Sequence, residues 1–293
     1  MAPANEKLDV LQPSGVPPAS PTSPAATAHA FGRIGSGDTW AFDAAIFDMD
    51  GVLTQTAAVH SIAWKRMFDE YLRSRAARYG EPLREFTHAG DYLSYVDGRP
   101  RNKGVETFLK SRGINLPPGA PDEDEGSESI AGLGHRKNAL FNQIIEAEGV
   151  KLYDSTVVLI EDLLRAGIKV GLATSSENSA VILRKTGTAH LFGTVVDGLV
   201  SEKLGLRGKP EPDIFITAAA DLGVPRARAI VVEDAVSGVQ AGAKGGFALI
   251  IGVARENNAR ELRDNGADVV VRDLAETNLE QINRLVQTKR TRV

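Results

Sequence analysis

Asp48 and Asp50 stand two residues apart in Phe47-Asp48-Met49-Asp50-Gly51-Val52, where the apolar run Ala44-Ala45-Ile46-Phe47 stops and Gly51 lets the chain bend back. Residues i and i+2 of a strand share one side, but the second acid lies past the strand end, so the two carboxylates can take different duties. One can attack phosphorus while the other serves the oxygen on the far side, the division between nucleophile and general acid/base. A calcium loop shares the Asp-x-Asp-Gly start but needs oxygen ligands at alternate positions and a Glu at the twelfth. Here the twelfth residue from Asp48 is Val59, which leaves a plain turn as the bland alternative.

Such a pair needs a scaffold that holds it at a strand end. Further short apolar runs occur at Ile168–Ala173, Ala229–Val232, Phe247–Ile251 and Asp268–Val271, as expected for strands buried on both faces. Helical patterns at about 155–166, 178–186, 212–222, 236–244 and 257–265 alternate with them. The alternation predicts an α/β fold, a doubly wound parallel sheet with a Rossmann-like core. Residues 55–149 break it, reading as helices at 58–78, 103–112 and 136–148 joined by polar loops, and are expected to form a helical cap inserted after the first strand. The core is then 41–54 with 150–293. The acidic run Asp122-Glu123-Asp124-Glu125 reads as a solvated loop, because adjacent carboxylates repel and rarely converge on one ion.

The 293 residues are 42% hydrophobic and 25% charged, ordinary globular material for one or two domains. With no cysteine, disulfides and thiolate metal sites are excluded. A formal net charge of −4 gives no basic footprint for nucleic acid or an anionic membrane, which favours small-molecule work. Residues 1–40 are rich in Pro, Ala and Ser without an apolar h-region, and read as a disordered tail rather than a signal peptide. Gly35-Ser36-Gly37 within it reads as linker, since no strand precedes it. No stretch approaches the roughly 20 apolar residues of a membrane span, so the expected location is the cytoplasm. Oligomeric state is left open, a monomer being compatible.

In an open parallel sheet, ligands sit outside the carboxyl ends of the strands, at the topological switch point. Three expected strand ends carry suitable groups. Asp48 and Asp50 are the first; Thr174-Ser175-Ser176, with hydroxyls and N–H groups for phosphoryl oxygens, is the second. Glu233-Asp234 is the third, offering with Asp48 enough hard oxygen for one Mg2+. Lys209, in Gly208-Lys209-Pro210-Glu211-Pro212-Asp213, can offset the charge shared by Asp48 and a transferring phosphoryl. Taken singly these are a helix N-cap, surface acids and a solvated lysine; in this order at successive strand ends they point to phosphoryl transfer.

These segments resemble the four motifs of the haloacid dehalogenase superfamily of phosphotransferases: Asp48-Met49-Asp50-Gly51-Val52, Thr174-Ser175-Ser176, Lys209-Pro210-Glu211-Pro212-Asp213 and Glu233-Asp234-Ala235-Val236-Ser237-Gly238. The resemblance covers about residues 42–275, and the motifs are jointly specific. Thr54-Gln55-Thr56 with His60 and Trp64-Lys65, and Gly132-Leu133-Gly134-His135-Arg136-Lys137-Asn138, are similar to the β-phosphoglucomutase branch; Tyr95-Val96-Asp97-Gly98-Arg99-Pro100-Arg101 looks like its actinobacterial members. The resemblance implies that Asp48 is the nucleophile that becomes an aspartyl phosphate and Asp50 the general acid/base. It implies Mg2+ on Asp48, the Asp50 carbonyl, Glu233 and Asp234, with Thr174, Ser175 and Lys209 on the transferring phosphoryl. Arg101 would grip the substrate's other phosphate, and His60, Gly98 and Lys137 would line the sugar site or steady closure. Lys137, read as lying at a helix start, would oppose the helix dipole, which suggests another reason for it.

Two positions depart from the branch. Gln55 stands where an Asp is usual, with an expected effect on the hinge or on Asp50; Glu177 stands where Lys or Arg is frequent, with an expected loss of affinity for a dianionic phosphate. The leading expectation is a Mg2+-dependent isomerase taking β-D-glucose 1-phosphate to glucose 6-phosphate through a bisphosphate. A sugar-phosphate phosphatase of the same fold is the alternative, separated by water access to the aspartyl phosphate. A non-catalytic interaction module in sugar-phosphate metabolism is the alternative from another class, and intact Asp48, Asp50, Lys209 and Asp234 argue against it.

Overall fold

Six strands form: β1 (Ala44–Phe47), β2 (Lys169–Ala173), β3 (Thr194–Val196), β4 (Ala229–Glu233), β5 (Leu249–Val253) and β6 (Val269–Val271). The computed structural model describes residues 40–291, so the tail expected over 1–40, with Gly35-Ser36-Gly37, lies outside the described residues but for Trp40. The strands pair in parallel in the order β3-β2-β1-β4-β5-β6. β1 is therefore central, with Phe47 opposite Leu172 on one side and Val232 on the other. From β1 the chain builds outward to β3, then crosses back to build the other half. The switch point thus lies at the carboxyl ends of β1, β2 and β4.

Between β1 and β2 come the helices α1 (Thr56–Tyr79), α2 (Leu93–Tyr95), α3 (Arg101–Ser111) and α4 (Ile130–Glu148), with a π-helical turn at His88–Tyr92. The rest of the chain adds α5 (Asp154–Arg165), α6 (Ser179–Thr186), α7 (Gly198–Leu204), α8 (Asp213–Asp221), α9 (Val236–Gly245), α10 (Ala259–Asp264) and α11 (Leu279–Arg290). Alternate residues of β1 face opposite layers. Ala45 and Phe47 pack with Leu159 and Ile160 of α5, Ile182 of α6 and Ile282 and Val286 of α11. Ala44 and Ile46 pack with Phe215 of α8, Val239 of α9 and Leu262 of α10. Phe47 is fully buried, and its truncation to Ala would cost about 3–5 kcal/mol. The insert has its own apolar cluster, in which Phe68, Phe86 and Phe108 stack around Trp64 and Met67. Among the described residues no helix is long and apolar enough to cross a membrane.

The structure revises several sequence readings. α4 begins at Ile130, not 136, with Ser129 as N-cap accepting from the Gly132 N–H at 3.0 Å. Gly132 and Gly134 are both helical, and at Gly132 a side chain has no room, since a Cβ there would come within 2.5 Å of the Ser127 carbonyl oxygen. Lys137 therefore lies within the helix, and the dipole argument for it falls. α6 begins at Ser179, so Thr174-Ser175-Ser176 occupy a loop rather than a helix start. Arg101 is the first residue of α3, with Pro100 as its N-cap, rather than a loop arginine. The short β3, α7 and α11 add to the elements expected from the sequence.

Candidate active site

At the end of β1 the Asp48 N–H donates to the Val232 carbonyl at 2.9 Å, which keeps this residue aligned with β4. The chain then turns, with the N–H groups of Leu53 and Thr54 both donating to the Met49 carbonyl at 2.9 Å. Gly51 makes the turn at φ +87°, and a Cβ there would lie 1.8 Å from Asp234 Oδ2, so only glycine fits. The Asp48 and Asp50 side chains consequently diverge. Asp48 accepts from Lys209 Nζ at 2.5 Å, while Asp50 Oδ1 accepts from the Thr56 hydroxyl.

Lys209 is 2% exposed and also donates to Glu233 Oε2 at 2.7 Å; Glu233 Oε1 accepts from the N–H groups of Asp234 and Ala235 at 3.1 and 3.0 Å. The readings of Lys209 as a solvated lysine and of Glu233-Asp234 as surface acids are excluded by burial. Burial first, then repulsion from Glu233, pushes the Asp48 and Asp234 carboxyls well above the usual carboxylate range. Burial opposes the Lys209 charge, but Asp48 and Glu233 outweigh it and raise its pKa. Asp48, Glu233 and Asp234 each offer an oxygen, all within 4.8 Å of one another. Three buried acids against one ammonium leave negative charge to be balanced, and a hard divalent cation fits such an all-oxygen set.

On the far side of the cleft, His60 of α1 places Nε2 3.3 Å from Asp50 Oδ1, within ion-pair range though not aligned as a hydrogen bond. Its Nδ1 receives Lys137 Nζ of α4 at 2.5 Å, and its ring stacks on Phe141 with centroids 4.1 Å apart. Burial brings Lys137 down to about 7, only partly offset by the Asp50 charge. Burial and then Lys137 also lower His60. Burial works to raise Asp50, but His60, Thr56 and Lys137 together outweigh it and hold the carboxyl below its usual value.

The insert and the sheet domain meet closely around this point. The Ser175 hydroxyl donates to the Gly98 carbonyl at 2.9 Å and the Ser237 hydroxyl to the Asp97 carbonyl at 3.1 Å. Asn178 Nδ2 donates to Asn138 Oδ1 at 2.8 Å, and Arg101 Nη2 meets Glu177 Oε2 at 2.8 Å. One cleft of about 70 Å³ is lined by every residue assigned a catalytic, phosphate, sugar or metal role from the sequence: Asp48, Asp50, His60, Gly98, Arg101, Lys137, Thr174, Ser175, Lys209, Glu233 and Asp234. Gln55, the first departure, donates from Nε2 to the Leu152 carbonyl at 3.0 Å, while its N–H donates to Lys151 at 2.9 Å, tying together the two strands of chain that enter and leave the insert.

Sequence reasoning assigned no role to Tyr92, Asp97, Asn138 or Asn178, which also line the cleft. Asp97 is the most consequential, its carboxyl pushed up to about 6 chiefly by burial. Its neighbour Gly98 was singled out, but nothing in the local pattern distinguishes a loop acid at the surface from one drawn into the cleft lining.

A family model for haloacid dehalogenase-like hydrolases matches residues 42–246. The chain is 44% identical over 236 residues to a β-phosphoglucomutase of Mycobacterium bovis, covering 80% of this chain and 90% of that one. It is 31% identical over 241 residues to a β-phosphoglucomutase of Bacillus subtilis, covering 82% and 93%. Its fold matches the crystal structure of a β-phosphoglucomutase from Clostridium difficile with a TM-score of 0.65 at 22% identity, over 84% of this chain and 98% of the other.

Proposed function

Because the chain belongs to the haloacid dehalogenase-like hydrolase family, whose relatives here make it an enzyme of phosphotransferase or phosphatase type, we propose that it is a β-phosphoglucomutase, converting β-D-glucose 1-phosphate to glucose 6-phosphate through an aspartyl phosphate and a bound bisphosphate. The observation that carries this reading is the pairing of Asp48, on Lys209, with Asp50, turned toward His60 and Lys137 of the helical insert. We assign the insert, residues 55–149, as a cap that moves against a core of 41–54 and 150–293, with Gln55 at the crossing.

In this reading an Asp48 oxygen attacks phosphorus and the phosphoryl group passes to that oxygen, the sugar oxygen leaving with a proton from Asp50. In the return step Asp50 takes the proton from the attacking sugar hydroxyl. The low position of the Asp50 carboxyl suits its base role, and His60, fixed by Lys137 and Phe141, holds it in line. Lys209, Thr174 and Ser175 take the oxygens of the transferring phosphoryl, and Arg101 the distal phosphate. Mg2+, when bound by Asp48, the Asp50 carbonyl, Glu233 and Asp234, supplies charge neutralisation for the phosphoryl oxygens. The 70 Å³ cleft is far below the roughly 300–1,000 Å³ of ligand pockets, so the cap must lift to admit substrate and then exclude water again.

Glu177 on Arg101 favours a second reading, a sugar-phosphate phosphatase, because it occupies the clamp that a second phosphate needs. One assay separates the two: pure protein with β-glucose 1-phosphate, Mg2+ and catalytic bisphosphate, following glucose 6-phosphate and free phosphate together. Isomerisation outrunning phosphate release supports the mutase; phosphate release at an equal or greater rate refutes it.

A further inference from the structure

Arg101 opens α3 on the insert and Glu177 follows Ser176 in the loop after β2, so their 2.8 Å contact between Nη2 and Oε2 crosses the cleft. The pair is largely shielded, with side chains 14% and 29% exposed.

The contact is incomplete. Nε and Nη2 form one edge of the guanidinium, the edge that carboxylates and phosphates usually take with two parallel bonds. Here Nη2 is engaged while Nε, among the described residues, is buried without a partner. A buried donor left unpaired loses its hydration without replacement. An occupant with more oxygens would satisfy both donors.

We propose that Glu177 is an internal stand-in for the distal phosphate of the substrate: it draws Arg101 across the cleft and shuts the cap with no sugar bound, and an incoming distal phosphate displaces it to take both Nε and Nη2. The inference rests on the assignment of Arg101 to that phosphate. It makes Glu177 a specificity-determining residue. A substrate that carries a distal phosphate must evict a carboxylate, whereas a phosphoryl donor with an uncharged far end, once it has entered, lets the protein's own acid close the cap over it. Discrimination between the two classes is therefore narrower than the clamp alone would give.

Glu177→Gln and Glu177→Lys in the full chain test this by two independent readouts. Trp64 lines the cleft, is 4% exposed and is one of two tryptophans, so a Trp40→Phe background reports on it alone. Without substrate, acrylamide quenching of Trp64 should at least double in both variants, and more in Glu177→Lys, where two cations face each other. With substrate, KM for β-glucose 1,6-bisphosphate should fall about tenfold in Glu177→Gln relative to any change for acetyl phosphate, which has no distal phosphate. Unchanged quenching in both variants overturns the proposal, as does an equal change in KM for the two substrates. Doubled quenching in a protein without mutase activity supports the latch and refutes the mutase reading, so the two failures stay apart.

Discussion

Alanine at position 98 should separate closure of the cap from folding of the chain. Gly98 sits at φ +69° where the insert touches the loop after β4, and a Cβ there would lie 2.3 Å from Ser237 Oγ and 2.9 Å from Ala235 Cβ. The left-handed backbone itself costs an L-residue about 1–2 kcal/mol, whether the cap is open or closed. Ser237 can rotate away, at the loss of its bond to the Asp97 carbonyl, worth about 1 kcal/mol. Ala235 has no rotamer to change. Restoring an ordinary carbon–carbon contact of about 3.5–4.0 Å from 2.9 Å needs the surfaces to part by about 0.6–1.1 Å. That shift carries His60, Lys137 and Arg101 away from Asp50 and the phosphates, and a displacement of about 1 Å is worth on the order of a hundredfold in rate. Steady-state kinetics with β-glucose 1-phosphate should therefore show kcat/KM down about a hundredfold, with melting temperature lowered by only a few degrees. Adding Ser237→Gly should not rescue the rate, because Ala235 still blocks. Wild-type kcat/KM in Gly98→Ala would refute the reasoning, since the closed seam would then not be the working state.

Asp48→Asn should reduce phosphoryl transfer by at least about a thousandfold, roughly 4 kcal/mol, because an amide is a poor nucleophile; retention of label from a radiolabelled phosphate donor by this variant would remove Asp48 from the role. Lys137, held at about 7 by burial, is protonated in the unfolded chain up to about pH 10. The unfolded state thus binds the extra proton between about pH 7 and 10, and stability attributable to this group rises with pH across that window, with the burden fully present below it. Lys137→Met should accordingly raise the melting temperature at pH 6 more than at pH 9.5, the full shift setting an upper limit of about 5 kcal/mol, and an equal change at both pH values would contradict the assignment. Mg2+ should stabilise the fold by about 2.7 kcal/mol at a hundred times its Kd, read as a melting temperature that climbs with Mg2+ and returns with chelator; Glu233→Gln should flatten that response, and a melting curve indifferent to Mg2+ in the parent protein would argue against the three-acid site.

How much of this was legible in the sequence depends on the range of the interaction concerned. β1, β2, β4 and β5 are buried on both faces, so their apolar runs announce them, and the parallel sheet with its switch point follows from their alternation with helices. Asp48, Thr174 and Glu233 could be placed at strand ends for the same reason. β3 escaped because it is only three residues long, with Val196 alone fully buried, and it exists by pairing Gly171–Ala173 with Thr194–Val196 rather than by its own pattern. The π-helical turn at His88–Tyr92 is likewise made from outside: Asp69 accepts the Phe86 N–H at 2.7 Å, and Asp91 is held by Arg112 at 3.0 Å. Thr87 also donates to Asp91 from its N–H at 2.8 Å, a local bond, but Asp69 and Arg112 lie outside any short window, so no such window contains the whole cause.

The same argument explains why the cleft divides into a half that could be read and a half that could not. Asp48, Lys209 and Glu233 are each fixed by the sheet domain alone, and charge balance among them follows once the strand ends are known. Asp97 and Glu177 differ, since an acid in a loop is solvated by default and only the meeting of insert and sheet domain takes either from water. Asp97 comes to line the cleft where Gly98 and its own carbonyl meet Ser237, and Glu177 comes to face Arg101, 76 residues away, through the same meeting of insert and sheet domain. Their effect on the site therefore belongs to the closed state as a whole. A substitution at either should act on the closing equilibrium before it acts on any bond to phosphorus, so in a comparison of variants KM and the accessibility of Trp64 should move together, while Asp48→Asn should move the rate with neither.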